Sequence, residues 1–104
     1  MRQSLLLTLC GTLLISACSD EPTRARSYIL TTATTGGTYY PVGVALATLA
    51  HAQLAETAGL SLTAISSAGS LENVKLLHDN QAQFALLQGP FGAWSWTGEG
   101  PVSK

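Results

Sequence analysis

Short apolar runs rich in β-branched residues alternate with longer helical periods from residue 28 onward. The first run predicts a strand at residues 28–34, and the period after it predicts a helix at about residues 38–57. The apolar residues that recur near helical spacing are Val42, Leu46, Leu49 and Leu54. Thr38 is expected to be the N-cap of this helix, and Gly59 is expected to end it.

The same alternation continues through residue 88. A second strand is predicted at about residues 60–66, a helix at residues 71–79 and a short strand at residues 84–87. Ser70 is expected to be the N-cap of the second helix, and its buried side is predicted to carry Leu71, Val74 and Leu77. This β-α-β-α-β order predicts an α/β fold with a parallel sheet and right-handed crossovers.

In such a sheet the strand-to-helix loops lie together at the carboxyl edge, where open α/β folds bind ligands. The loops at residues 34–38, 66–70 and 88–91 should therefore converge. They offer backbone N–H groups at two helix N-termini, together with neutral hydroxyl and amide side chains. The candidate ligand-binding residues are Thr35, Gly36, Gly37, Thr38, Tyr39, Ser67, Gly69, Ser70, Asn73 and Gln88.

The pair Gly36-Gly37 stands where the first strand gives way to the first helix. Glycine permits positive φ and has no Cβ, so N–H groups there can approach a ligand and favour a negatively charged one. The loops carry no charged residue, and the arginines after residue 17, Arg24 and Arg26, precede the first strand. The pattern therefore predicts recognition of a small carboxylate or amino acid through oriented hydrogen bonds.

Each candidate also has a structural interpretation that the sequence leaves open. Tyr39 and its neighbour Tyr40 either face the ligand or pack under the sheet edge. Ser70 can cap its helix whether or not it contacts a ligand. The aromatic residues Trp94 and Trp96 either line a ligand cleft or cover a domain interface. For Asn73 the alternative is a position on the solvent-exposed surface. For Gln88 it is a contact within its own loop.

Several function classes have no support in the sequence. A Gly-x-Ser-x-Gly elbow is absent and no lysine follows the Gly-Gly pair, which excludes the familiar serine-hydrolase and P-loop motifs. His51 and His78 fall on predicted helices away from the loops, and no cluster of metal-ligating residues accompanies them. The net charge of −1 without a basic patch argues against nucleic acid. We expect no catalytic residue, no cofactor and no metal.

Residues 1–17 have the layout of a secretory signal, with Arg2, an apolar stretch and small residues before Cys18. The segment ISAC at residues 15–18 resembles a bacterial lipobox, in which the cysteine is acylated. Ordinary cleavage near Ala17 and an uncleaved anchor are the alternatives. Lipid on Cys18 would tether the protein to a bacterial membrane in the periplasm, with residues 18–27 as the acylated cysteine and polar tether. Because Cys10 lies in the signal, no disulfide is expected.

Charged residues make up 11% of the chain, whereas a typical soluble domain has about 25%. Too few charges are present to cover an ordinary surface, so some of this surface is expected to meet more protein. Residues 98–101 are loop-like, and nothing after them closes a fold. A continuation of the chain beyond Lys104 is therefore a stronger expectation than a separate partner.

Three motifs in order resemble the TAXI family of solute receptors, which serve tripartite ATP-independent periplasmic (TRAP) transporters. They are TGGTYYPVG at residues 35–43, AGSLENVKLL at residues 68–77 and FALLQ at residues 84–88. The resemblance covers nearly all of residues 28–98. One departure is the sequence Gly89-Pro90-Phe91, where the family commonly has a polar residue and an aspartate after the glutamine.

The resemblance implies the periplasmic-binding-protein type II architecture, with two α/β lobes and a cleft between them. Residues 28–104 would be the N-terminal part of the first lobe, because family members are much longer. It also implies capture of a dicarboxylate or an amino acid such as glutamate and its delivery to TRAP membrane permease subunits. By motif, the solute contacts would fall at residues 35–39 and 67–70, with Asn73 nearby, and at Gln88.

Two other functions remain open at this stage. A lipoprotein sensor domain would bind the same kind of solute and signal to a partner. An exported hydrolase on an α/β sheet is a weaker alternative, since it would need a nucleophile and a base from outside these residues. A signalling segment in the same chain or a neighbouring gene would favour the sensor, and adjacent permease genes would favour transport.

Overall fold

Three parallel strands with helices between them form the centre of the fold in a computed structural model, which describes residues 25–102. The elements are β1 Arg26–Thr31, α1 Tyr39–Ala58, β2 Leu60–Ile65, α2 Ser70–His78, β3 Phe84–Ala85 and α3 Gly89–Thr97. The predicted signal peptide, the lipidation site Cys18 and most of the tether lie outside the described residues. β1 begins two residues before its predicted start and ends three residues before its predicted end.

The strands are arranged in the order β2-β1-β3, with both pairings parallel. β1 and β2 are in register from Arg26 opposite Leu60 to Thr31 opposite Ile65. The two-residue β3 is extended at both ends, because the Gln83 N–H donates to the Ile29 carbonyl at 3.1 Å and the Leu86 N–H to the Thr31 carbonyl at 3.0 Å. The predicted β-α-β-α-β parallel sheet is confirmed.

The two crossovers run in opposite directions across the sheet, because β1 lies between β2 and β3. Right-handed crossovers therefore put α1 on one face of the sheet and α2 on the other. With this strand order the topological switch point falls between β1 and β3, and ligands bind in the crevice outside the strand ends there. The fold thus marks one position on the carboxyl edge before any side chain is considered.

α1 packs on the sheet through its small residues. Gly43 is its one buried residue, and the half-buried Ala47 and Ala50 follow on the same side. The larger residues that predicted the helix are exposed, with Leu49 59% and Leu46 45% accessible. Close approach of the helix axis to β1 and β2 favours glycine and alanine at the contact, so the branched side chains point elsewhere. Gly59 ends the helix in the left-handed conformation, as predicted.

The predicted buried side of α2 is wrong in part. Leu71 is 51% exposed, and Val74 and Leu77 are only half-buried. The buried residues of this helix are the polar Ser70 and Asn73. The reason is that this side of the helix meets the strand ends, where backbone carbonyls and hydroxyls need hydrogen-bond partners.

The prediction that residues 88–91 form a loop is also wrong, because α3 begins at Gly89. Pro90 lies in its first turn, where the missing N–H costs nothing, and Gly98 closes the helix in the left-handed conformation with φ 76°. Phe91 and Trp94 pack edge to face at 5.3 Å between ring centroids. Because two of its nine residues are glycines, this helix shows no regular apolar period from which it could be predicted.

The apolar core of the described residues is small, with Leu30, Ala82 and Val102 as its buried members. Trp96, by contrast, is 89% exposed. Within residues 25–102, no helix combines the length and the apolar character needed to cross a membrane. These exposed apolar residues are consistent with the low content of charged residues, because much of the surface is apolar and not charged.

Candidate functional site

The carboxyl edge of the sheet carries three connections: the β1–α1 loop at residues 32–38, the β2–α2 loop at residues 66–69 and the β3–α3 loop at residues 86–88. The first two are joined where the Ser67 N–H donates to the Ala33 carbonyl at 3.1 Å. The third meets the start of α2, because the Gln88 N–H donates to Ser70 Oγ at 3.0 Å. The predicted convergence of the loops is confirmed.

One buried amide, that of Asn73, lies where the three loops meet, with no accessible surface. Its Oδ1 accepts from Thr31 Oγ1 at 2.7 Å and from Ser67 Oγ at 2.6 Å. Its Nδ2 donates to the Thr32 carbonyl at 2.5 Å and to the Leu86 carbonyl at 2.9 Å. Asn73 thereby contacts the ends of β1 and β3 and the β2–α2 loop simultaneously.

Thr31 and Thr32 belong to this arrangement although the sequence did not single them out. Both are completely buried at the end of β1. The Thr32 hydroxyl donates to the Ile65 carbonyl at 2.7 Å, which joins the ends of β1 and β2. A pair of threonines at the end of a predicted strand was the available signal, but threonine is common in strands and the pair alone does not indicate a site.

The glycine pair of the β1–α1 loop does not use positive φ, so the conformational part of that prediction is wrong. The Gly37 N–H donates to the Thr34 carbonyl at 2.9 Å, and a Cβ at Gly37 would lie 3.4 Å from the same oxygen. A Cβ at Gly36 would meet nothing within 4 Å. The open approach expected of the pair therefore exists at Gly36, while Gly37 faces its own loop.

Thr38 occupies the N-cap position of α1, but its hydroxyl makes no capping hydrogen bond and its backbone is helical. In the first turn of α1, Pro41 has no N–H and the Val42 N–H donates to the Thr38 carbonyl at 3.3 Å, so the N–H groups without an intrahelical partner are those of Tyr39 and Tyr40. Thr35 and Thr38 are exposed beside them, and Tyr39 is half-buried. This end of the site has free donors and exposed hydroxyls together.

In the β2–α2 loop the N-cap is Gly69 and not Ser70, which corrects the prediction for this helix. Gly69 has φ 109° and ψ −160°, a conformation that residues with a Cβ rarely adopt. Its N–H donates to Ser67 Oγ at 3.0 Å. Ser70 is the first helical residue, is 9% exposed, and uses its Oγ to accept from Gln88.

Glu72 adds a negative charge at the start of α2 that the sequence reasoning missed. Its Oε2 accepts from the Ala68 N–H at 2.5 Å. Glutamate three residues after an N-cap commonly reaches back in this way, and that spacing was a usable signal. One donor of the β2–α2 loop is therefore occupied by a carboxylate of the protein itself, while the start of α1 has no acidic residue in its first turn.

The β3–α3 loop contributes a third helix N-terminus, where two were predicted. Gln88 is the N-cap of α3 in an extended conformation and is exposed, and its carbonyl accepts from the Phe91 N–H at 3.0 Å. The N-termini of α1 and α3 follow β1 and β3, the strands on either side of the switch point. Both favour negative charge in the crevice between them.

The shifted pKa among the described residues belongs to a group far from this edge. The Lys75 ammonium, and then His78, hold the pKa of Asp79 below its ordinary value at the other end of α2. In residues 25–102, the basic residues other than histidine are Arg26, at the amino end of β1, and Lys75. No group of three potential metal ligands occurs within the described part of the chain.

A groove between α2 and α3 does not coincide with the loops. It is lined on the α2 side by apolar residues together with the polar or charged Glu72, Lys75, His78 and Asp79, and on the other side by Ser95, Gly98, Pro101 and Val102. It shares only Ala68 and Glu72 with the loop region. The groove runs along α2 and is distinct from the carboxyl edge.

An open parallel α/β sheet with such loops at its switch point is typical of proteins that bind small ligands. The family model described as "NMT1-like family" matches residues 30–104, and the chain belongs to that family. It is a periplasmic-binding-protein-like family, and membership suggests an extracytoplasmic, solute-binding type of function. No curated protein and no solved structure matches the chain. The narrower resemblance to TAXI receptors stays a prediction.

Proposed function

We propose that this chain is the N-terminal part of the first lobe of a receptor for a TRAP transporter, which captures a small carboxylate or amino acid for ion-gradient-driven uptake. The observation that carries the proposal is the meeting of three loops at the switch point, two of which carry glycine and hydroxyl residues while the third ends at Gln88. Membership in the NMT1-like family supports the solute-binding part of it. The TAXI-like motifs support the transporter class.

The chemistry of the edge supports an anionic group on the ligand. The starts of α1 and α3 direct backbone donors and positive dipole ends toward the crevice. No lysine or arginine belongs to the three loops, so a carboxylate would be held by N–H and hydroxyl groups. Glu72 lies beside the β2–α2 loop, which favours placing the ligand carboxylate at Gly36 and the start of α1.

The receptor role needs no catalytic step. Solute is held between two lobes and released when they open, as hinged binding proteins do. The described residues provide one wall of that cleft: Thr35, Gly36, Thr38, Tyr39, Ser67, Gly69, Ser70 and Gln88, with Gly37 holding the β1–α1 loop. The opposing wall would come from a second lobe outside these residues.

Attachment through a lipid on Cys18 completes the proposal. The acylated cysteine would hold the receptor at a bacterial membrane, in the periplasm, near its permease. Mass spectrometry of the protein from membranes tests this part independently. A Cys18→Ser variant should lose both the acyl mass and the membrane fraction, and an unchanged distribution would contradict the anchor.

The solute site is tested by titrating the isotope-labelled chain with L-glutamate and with succinate in separate NMR experiments. Even weak binding shifts amide signals, and the shifts should be confined to residues 35–39, 67–70 and 88. D-Glucose, which is neutral, is the matched control and should leave these signals in place. Shifts scattered over the α2–α3 groove instead of the loops would contradict the proposed site.

Transport and sensing would use the same solute site, so binding alone does not distinguish them. Measurement of solute uptake does. Deleting the gene from its host should abolish uptake of the labelled solute that binds, and restoring the gene should recover it. Retained uptake together with a lost transcriptional response would favour a lipoprotein sensor domain. Chemical conversion of the solute by the full-length protein would instead favour the alternative of an exported hydrolase.

A further inference from the structure

We propose that Asn73 is a positioning residue that holds the three loops of the carboxyl edge in one arrangement, in place of the direct solute contact expected from the sequence. The inference rests on the proposed function only in taking that edge as the solute site. It is carried by the hydrogen-bond geometry of the Asn73 amide and by its complete burial.

The amide has no remaining capacity for a ligand. A primary amide offers two N–H donors and an oxygen with two lone pairs. Both donors are used by the carbonyls of Thr32 and Leu86, and both lone pairs by the hydroxyls of Thr31 and Ser67. The two carbonyls accept only, so they fix which side of the amide carries nitrogen.

The four partners belong to all three loop-bearing segments. Thr31 is the last residue of β1 and Thr32 the first of the β1–α1 loop, Leu86 is the first residue after β3, and Ser67 lies in the β2–α2 loop. The Nδ2 donations to Thr32 and Leu86 bridge the two strands on either side of the switch point. Displacing this one amide therefore releases every loop on which the solute site depends.

Helix α2 holds the amide in place. The Asn73 N–H donates to the carbonyl of Gly69, the N-cap with positive φ, at 2.9 Å in the first turn. A side chain of this length, carried on a helix start, reaches the strand ends without freedom to move. Aspartate has the same shape but presents a second oxygen to the two carbonyls, so Asn73→Asp removes the bridge with little change in volume.

The test is amide hydrogen exchange on the purified chain, compared among four variants. Asn73→Asp should raise exchange at Ser67, Gly69 and Gln88 by about tenfold or more relative to the middle of α1. Leu30→Ala, a core truncation beside Gly43 of α1 that leaves the four partners of the amide unchanged, is the matched control and should raise exchange throughout the fold. Thr31→Val removes one hydroxyl from the amide and should raise exchange at the same three amides, while Thr31→Ser keeps the hydroxyl and should leave their exchange near that of the unmodified chain.

The outcomes are distinct. Exchange that rises at one loop only, or uniformly as in Leu30→Ala, overturns the positioning role. If Asn73→Asp does not fold, the contrast between Thr31→Val and Thr31→Ser decides alone. Unchanged exchange with altered L-glutamate shifts in Asn73→Asp would establish a direct contact instead. Absence of any L-glutamate or succinate shift in the unmodified chain would count against the proposed function and leave the exchange result standing.

Discussion

Gly43 of α1 lies directly against Thr32, the residue after β1, so closely that a Cβ at position 43 would overlap Thr32 Cγ2. Thr32 is completely buried and its hydroxyl is held by the Ile65 carbonyl, so it has nowhere to move. The contact fixes how closely the first helix approaches the sheet. It also lies next to the β1–α1 loop, which begins at Thr32.

Gly43→Ala should therefore destabilise the fold by about 1–3 kcal/mol through overpacking. Urea denaturation followed by circular dichroism measures the change. Gly36→Ala is the matched control, because its Cβ would meet nothing within 4 Å and its φ is not positive. Equal stabilities for the two variants would show that α1 does not rest on Thr32.

Gly69→Ala should cost about 1–3 kcal/mol for a different reason, which is backbone strain at φ 109°. Space is not the problem, since a Cβ there would meet nothing within 4 Å. Gly89→Ala has the same open surroundings without positive φ, and thermal unfolding of this control should change by much less. If Gly89→Ala is destabilised as much as Gly69→Ala, backbone strain at position 69 is not the cause.

Gly36→Val is expected to weaken solute shifts in the NMR titration while stability is kept, because its side chain would fill the open space before the β1–α1 loop. Gly37→Val should act through its own loop, where the Cβ lies 3.4 Å from the Thr34 carbonyl. The two variants thus separate a blocked approach from a distorted loop. Solute shifts of normal size in Gly36→Val would remove this loop from the site.

The pKa of Asp79 should rise toward its ordinary value in Lys75→Met, because the Lys75 hydrogen bond is the largest cause of its depression. The lowered folded-state pKa means that the stabilisation is present above the unfolded-state pKa and is lost as pH falls through the folded-state value. Carboxyl NMR titration measures both variants. His78→Ala should raise the pKa less, and a larger rise there would reverse the assignment.

The 104-residue chain by itself should bind L-glutamate and succinate only weakly, since one wall of the proposed two-lobed cleft contributes only part of the contacts. Isothermal calorimetry on the purified chain measures this. Binding of micromolar strength would show that the described residues form a complete site, and the two-lobe interpretation would have to be given up.

The positions of strands and helices up to residue 88 were predictable because local signals agreed. Gly59 stopped α1 where the periodicity ended, and the parallel order followed from alternation alone. Helix α3 was not predictable from its apolar residues, since Gly89 and Gly92 break the pattern. Only Pro90 at its start and Gly98 at its end indicated it.

The packing faces of the helices could not be predicted from apolar spacing. Leu49 and Leu71 followed the helical period, yet the structure exposes both and buries Gly43 and Asn73. Helix-to-sheet distance and the needs of the strand ends decide those faces, and both depend on residues far apart in sequence. Convergence of the loops was predictable from topology, whereas saturation of the Asn73 amide was not.

Asn73 also constrains how this sequence can diverge. One amide serves two carbonyls and two hydroxyls, so no single substitution replaces it without orphaning several groups at once. Thr31 and Ser67 can accordingly be exchanged one at a time only for another hydroxyl residue, and loss of either hydroxyl leaves the Asn73 oxygen short of a donor. The exposed residues of the loops can then be substituted, and ligand preference altered, while the hydrogen bonds of Asn73 beneath them are kept.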